Sequence, residues 1–310
     1  MNTQHLAPIL LFAYNRPDHF KKTIKALKKN KLASLSHLII HCDGKKNKDD
    51  RKVDLVVKIA KSVQGFKKIQ VIVQKKNLGL KKSIILNVSK FIKKHKKLII
   101  LEDDMVTSKA FLNFMNSSLI YFQNKKKIWH ISGHSHFNIN NKKDIYFSTY
   151  MNCWGWATWE DRWKNLDINT KRIFDTFNSD RNLKTKFDIS KFSKFSNQIE
   201  DNYNKKINTW AVFWHWTIFK YKKLCVNPSK TFVQNIGRDG SGIHKDISFF
   251  FKIDLNNKLN YKLKIKILEN KLFKTKLKNF YDSEVTFSKK LIGKIYRILI
   301  KFYNFLYDTK

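Results

Sequence analysis

The chain has 310 residues, with 63 Lys and Arg against 24 Asp and Glu, a formal net charge of +39. Its hydrophobic content of 42% is ample for a core, and 9 Gly with 3 Pro argue against long disordered linkers. The charge favours polyanionic partners, but the bases are spread along the whole chain, which speaks against a simple nucleic-acid-binding tail.

Cys42, Cys153 and Cys225 lie far apart in apolar or aromatic contexts. They form neither a disulfide framework nor a zinc-binding spacing, and a reducing cytoplasm suits them. The first residues have no basic n-region and no cleavage site, and no segment reaches transmembrane length. A cytoplasmic or membrane-peripheral protein is expected.

Residues 7–14 read as a first buried strand, broken by Asn15-Arg16-Pro17-Asp18. Pro17 suits the first turn of a helix, and residues 19–29 place Phe20, Ile24 and Leu27 on one face and lysines on the other. A second strand, residues 38–42, ends in Asp43-Gly44, and residues 53–63 form a second amphipathic helix. A third strand, residues 69–73, leads through Asn77-Leu78-Gly79-Leu80-Lys81-Lys82-Ser83 into a third helix over residues 84–92. A fourth strand, residues 98–101, ends in Glu102-Asp103-Asp104. This repeated β-α unit predicts an α/β fold with a mostly parallel sheet flanked by helices. The polar or glycine-containing turns after these strands mark the ligand edge.

Beyond Asp104 the spacing predicts a helix over residues 109–122, a strand and loop over 127–133, a tryptophan-dense stretch over 150–163 and an aromatic helix over 210–221. Residues 235–244 form a glycine-containing polar loop, and after about residue 246 alternating Lys and apolar residues predict a separate basic C-terminal extension.

The acids after the fourth strand stand out in so basic a chain. Three carboxylates at the C-terminal end of a buried strand suit a hard divalent cation, and acids also gather at helix N-termini. His130, His134 and His136 alternate as a strand would rather than as a zinc signature, which favours sugar-contacting or structural roles.

Together, in order and spacing, residues 7–18, Asp43-Gly44, residues 77–83, 101–105, 153–163 and 235–244 resemble a bacterial nucleotide-sugar glycosyltransferase of the GT-A fold. The group is family-2-like, and the Glu-Asp-Asp form is similar to that of N-acetylglucosaminyltransferase I. The resemblance covers residues 1–245 and leaves 246–310 outside it.

It implies a Rossmann-like GT-A domain that moves a hexose or N-acetylhexosamine from a nucleotide sugar, a UDP-sugar being favoured. The acceptor would be a glycan or a lipid-linked molecule of cell-surface polysaccharide synthesis, on the inner face of the membrane. It further implies a manganese or magnesium ion that neutralises the departing phosphate, with Asp104 as the most direct ligand and His244 completing its shell. Glu102 and Asp103 would sit nearer the ribose or hold that geometry. Asp43 would read the nucleotide base, Asn15 and Arg16 would meet the base rim or a phosphate, and Gly79 and Lys81 would touch the nucleotide.

An inverting transfer needs a base for the acceptor hydroxyl. Where the family carries an acid beside the tryptophan that opens the aromatic helix, this chain has Ala211. Asp161, Glu200, Asp201 and His215 remain as candidates, with Asp161 preferred and Asp201 next.

Two other classes stay open: a nucleic-acid-binding protein, for which no recognisable module is present, and a nucleotidyltransferase of related fold, which would usually carry a glycine- and arginine-rich N-terminal loop. Near the C-terminus, Leu291, Ile292, Ile295, Leu299, Phe302 and Leu306 alternate with lysines at helical spacing. That pattern suits either an anionic membrane surface or packing on the domain.

Overall fold

A computed structural model describes residues 6–139, 143–190, 194–239, 254–284, 295 and 298–300. Its first half alternates β1 (Ile9–Ala13), α1 (Pro17–Lys28), β2 (His37–Cys42), α2 (Arg51–Lys61), β3 (Lys68–Val73), α3 (Leu80–His95) and β4 (Lys97–Glu102). There follow β5 (Met105–Thr107), α4 (Phe111–Phe122), β6 (Ile128–Ser132), β7 (Ile145–Ser148), β8 (Trp156–Trp159) and α5 (Glu160–Trp163). The rest comprises α6 (Thr170–Ser179), α7 (Arg181–Phe187), α8 (Phe195–Tyr203), α9 (Ala211–Lys220), β9 (Leu224–Pro228), β10 (Val233–Asn235) and α10 (Lys271–Glu284).

Eight strands form one sheet in the order β3-β2-β1-β4-β8-β6-β9-β7, and β10 pairs with β5 in a separate ribbon. The β3-β2-β1-β4 block is parallel, as the β-α repeat predicts. Beyond β4 the expectation fails. β8 runs antiparallel to both β4 and β6, β9 is parallel to β6, and β7 is antiparallel to β9, so the sheet is mixed. The connections differ accordingly: β6 leads to β8 through β7 and loops with no crossover helix between them, and the two pair antiparallel, whereas β9 follows α5 to α9 and lies parallel to β6.

Successive residues of the buried strands supply opposite faces. Ile9, Leu11, Leu38, Ile40, Ile99 and Leu101 pack with α1, α2 and α4 on one side. Leu10, Ile39, Leu98 and Ile100 pack with α3 and with Trp156, Trp163, Trp210 and Trp214 on the other. A third cluster joins α6, α7, α8 and α9 around Ile173, Phe187 and Phe213.

The segment expected to stand apart after residue 246 is packed on this domain over residues 254–284. Leu263 enters the main core, and Tyr261 meets the rings of Phe114 and Phe232 edge-on. Phe273 and Leu277 of α10 are buried with Ile139, Tyr146 and Tyr150. Asp144 holds Lys258 Nζ at 2.8 Å and accepts the Lys262 backbone N–H at 2.7 Å. Alternation of Lys with apolar residues here reflects one buried face, not independence. The amphipathic stretch after Phe287 lies outside the described residues except for residue 295 and residues 298–300, of which Ile295, Ile298 and Leu299 are exposed. No helix among the described residues is long and apolar enough to cross a membrane.

Candidate active site

The parallel block delivers three loops to one edge. The turn after β1 carries Tyr14, Asn15 and Arg16, that after β2 carries Asp43, and β4 ends in Glu102, Asp103 and Asp104. Parallel strands fix these C-terminal ends side by side, with Phe12 opposite Glu102 and Ala13 opposite Cys42.

Arg16 is the centre of the acidic turn. Its Nη2 donates to Asp103 Oδ1 and lies 2.9 Å from Asp104 Oδ2. Asp103 also accepts the Tyr14 backbone N–H at 3.3 Å, while its carbonyl accepts Thr23 Oγ1 at 2.7 Å. Both aspartates are buried. Burial depresses the pKa of Arg16, but the two carboxylates outweigh it and raise the pKa overall. Burial pushes the Asp103 carboxyl up, Arg16 opposes this and Asp104 reinforces it. Burial, then Asp104 and Asp103, push Glu102 up, and its hydrogen bond with Trp210 opposes this.

A strand from far along the chain covers this turn. Asn235 of β10 pairs with Met105, and Ile236 N–H donates to the Asp104 carbonyl at 2.9 Å. Gly237 follows so closely that a β-carbon there would overlap Asp104 Oδ2 and crowd Arg16 Nη1. His19 of α1 holds the same segment, with Nε2 at 3.3 Å from the Ile236 carbonyl and 3.0 Å from Asp239 Oδ2.

Asp43 is occupied by backbone. Its Oδ1 accepts from Gly44 and Leu78 N–H, each at 2.9 Å, and its Oδ2 from Gly79 N–H at 3.0 Å. Asn77 Nδ2 donates to the Gly44 carbonyl at 2.7 Å, so the β2 and β3 loops are clamped together. Gly79 has φ +74°, a left-handed conformation that favours glycine, and the space around its α-carbon is open. Lys81, two residues on, lies 3.4 Å from Asn202 Oδ1 of α8 and 4.0 Å from the centre of the Phe213 ring. Asn202 in turn accepts the Thr209 N–H at 3.1 Å, just before Trp210. Through Trp210 this polar chain reaches Glu102.

The structure therefore brings Asn15, Arg16, Glu102, Asp103 and Asp104 to one place, with Asp43 and Gly79 on the adjoining loops and Lys81 in the first turn of α3. It does not bring Asp161 there. Trp159 pairs with Lys97 at the start of β4, and Glu160 N–H bonds to the Lys96 carbonyl. Asp161 thus stands at the opposite edge of the sheet from Glu102, roughly 16 Å along the strand. Its carboxylate is engaged by Lys126 and Arg162. A tryptophan-rich context led the sequence reading to the wrong end of β8, because strand direction is invisible in composition. His215 is buried and its pKa is lowered by burial to about 4, and Glu200 faces Lys184 at 3.8 Å. Asp201 is half-exposed, 4.0 Å from Lys206 Nζ, and neighbours the Asn202 that contacts Lys81.

Sequence reasoning missed Gly237, His19, Asn202 and Trp210 as parts of the site. The glycine-containing loop over residues 235–244 was the one available signal, and nothing in it names β5 as its partner. His244 lies outside the described residues. Among the described residues no group of three or more His, Cys, Asp or Glu is arranged to hold a metal ion. The acidic turn nonetheless fits a hard cation in its donor chemistry, because Asp104 Oδ1 is buried with no hydrogen-bond partner among the described residues.

The histidine triplet is buried, and each ring is tied to the fold through at least one nitrogen. His130 Nε2 meets the Asn152 carbonyl at 3.0 Å and its Nδ1 accepts the Trp214 indole N–H at 3.2 Å. His134 Nδ1 meets the Val233 carbonyl at 2.8 Å, and His136 Nε2 meets Tyr150 Oη and Asn152 Nδ2, each at 3.1 Å.

No protein-family model and no curated protein matches the sequence. Among solved structures, a mannosyltransferase from Pyrobaculum calidifontis in complex with GDP-Man and Mn2+ aligns at 5% identity with a TM-score of 0.29. The alignment covers 42% of this chain and 36% of that one. A likeness of that size carries no argument about activity, and the site is read below from its own residues.

Proposed function

We propose that the chain is a nucleotide-sugar-dependent glycosyltransferase of GT-A type, with Glu102-Asp103-Asp104 as its donor-binding acidic turn. The observation that supports this best is the buried, unpartnered Asp104 Oδ1 at the C-terminal edge of a β3-β2-β1-β4 parallel block. Ligands of open α/β sheets bind along that edge.

In this reading Asp104 holds manganese or magnesium, with His244 as the second protein ligand. The bound ion would supply Lewis-acid neutralisation of the departing diphosphate. Arg16 adds positive charge at the same turn. Asp43 holds the β3–α3 loop taut against β2, and the uncovered Gly79 backbone leaves room for the nucleotide. Its base then lies against the Asp43 loop and its ribose near Asp103 and Glu102. Asn15 lines the base rim, and Lys81 lies by the sugar.

The base for an inverting transfer is assigned to Asp201. It is half-exposed and borders the Asn202–Lys81 contact, whereas Asp161 is not at this edge. The acceptor is a glycan or lipid-linked molecule, and the lysine-rich surface holds the protein on the cytoplasmic face of an anionic membrane.

The test is hydrolysis and binding of a panel of UDP-, GDP- and dTDP-sugars by the full chain, with and without manganese. Turnover of at least one donor, abolished by Asp104→Ala in a folded variant, is expected. Failure to bind any nucleotide sugar overturns the reading.

A further inference from the structure

We propose that Arg16 is a built-in counter-cation for the acidic turn and competes with the divalent ion for it, an inference that rests on the metal reading above. Two buried aspartates in sequence would repel each other and would lose hydration with nothing in return. Arg16 resolves this by lying against both, on Asp103 Oδ1 and Asp104 Oδ2. Asp104 Oδ2 is further closed by Gly237, and Oδ1 is sealed from solvent without a hydrogen-bond partner among the described residues. In this arrangement neither oxygen of Asp104 is open to an incoming ion.

A divalent cation placed at Asp104 would lie close to the guanidinium charge that now balances the pair. Like charges at such separation oppose each other strongly in a site of low polarity. Loading the ion therefore requires Arg16 to leave Asp104, and the freed guanidinium then faces the edge where a donor diphosphate would lie. Arg16 acts as a positioning residue. It offsets part of the negative charge of the turn while the turn is empty and withdraws as the ion enters. Thr23, through the Asp103 carbonyl, and Tyr14, through Asp103 Oδ2, anchor Asp103, so the part free to exchange partners is the Asp104 side.

The experiment is a titration of Mn2+ into the full chain without nucleotide, at pH 8, reading free Mn2+ by electron paramagnetic resonance. Arg16→Gln keeps polarity and removes charge, and is expected to tighten Mn2+ binding by about tenfold or more, the scale of one removed like charge in a partly buried site. Arg16→Lys retains charge but carries it on a compact ammonium at the end of a different stem, and should fall between Arg16→Gln and the unaltered protein. Should Arg16→Gln fail to fold by circular dichroism, the Arg16→Lys comparison decides. Affinity equal to or weaker than that of the unaltered chain overturns the competition while leaving the metal reading standing. If neither the unaltered chain nor any Arg16 variant takes up Mn2+, the metal reading itself falls and the inference with it.

Discussion

Gly237 and Asp104, 133 positions apart in sequence, are packed so that a single added methyl group on one would overlap the carboxylate of the other. The contact explains why a glycine stands two residues after β10. The segment must lie flat over the acidic turn, and any side chain would push Asp104 off Arg16. Gly237→Ala is expected to lower stability by about 1–3 kcal/mol, the usual cost of overpacking, and to reduce donor turnover disproportionately. Thermal unfolding and steady-state kinetics on the same preparation check this. A variant with unchanged melting temperature and rate would mean that the strand shifts at no cost.

Asp43 is expected to matter for stability whether or not it also meets a base. Asp43→Ala strips the acceptor from three backbone N–H groups at once, two of them in the turn that launches α3. A loss of about 1–3 kcal/mol follows from leaving buried donors unpaired. Hydrogen exchange should quicken at Leu78 and Gly79 and stay slow in the middle of α3. Uniform quickening along the helix would show the effect to be global instead.

Asp161→Asn should leave transferase turnover within twofold of the unaltered enzyme while lowering the melting temperature. Its carboxylate serves Lys126 and the buried Arg162, far from the acidic turn. Asp201→Asn should lower turnover by about 10²–10⁴-fold, the scale of a lost general base, with donor affinity preserved. The reverse pattern would return the chemistry to the other edge of the sheet.

The buried histidines make the fold sensitive to acid. Burial lowers the pKa of His130 to about 3 and those of His134 and His215 to about 4, from 6.5. Because the folded values are depressed, the unfolded chain takes up protons first. Their contribution to stability is complete above pH 6.5 and is lost as pH falls from 6.5 toward 4. Each imidazole adds up to about 1.4 kcal/mol per pH unit in that window. Urea denaturation from pH 7.5 to 5 should show a falling midpoint, and His134→Gln should flatten the slope. A midpoint independent of pH over this range would exclude the effect.

The parallel half of the fold was legible because its code is local. Pro17 opens α1 within the predicted turn, the apolar runs became β1 to β4, and each predicted helix there lies within a few residues of the observed one. The acidic turn was legible for the same reason, since a cluster of carboxylates after a buried strand is visible without knowing any partner. What could not be read was pairing across distance. The mixed order β4-β8-β6-β9-β7 depends on which short strands find each other, and β7 and β10, of four and three residues, are too brief to announce themselves. Asp161 was misplaced for this reason, because only the Lys97–Trp159 register shows which edge it occupies. Residues 254–284 were misjudged because Tyr261 meets Phe114 and Phe232, and Phe273 and Leu277 meet Tyr146, partners known only after folding.

The β10–β5 ribbon has a consequence for the order of synthesis. A chain made from its N-terminus has β1 to β4 and both aspartates well before Val233 leaves the ribosome, and the strand that pairs with Met105 arrives more than 125 residues later. At roughly 5–20 residues per second, the acidic turn waits several seconds with its outer side uncovered. During that interval Arg16, already synthesised beside it, is the group that can neutralise the two carboxylates. A nascent chain arrested before Val233 should therefore carry a folded parallel block whose acidic turn is still open to ions, and should close only when the last strand is released.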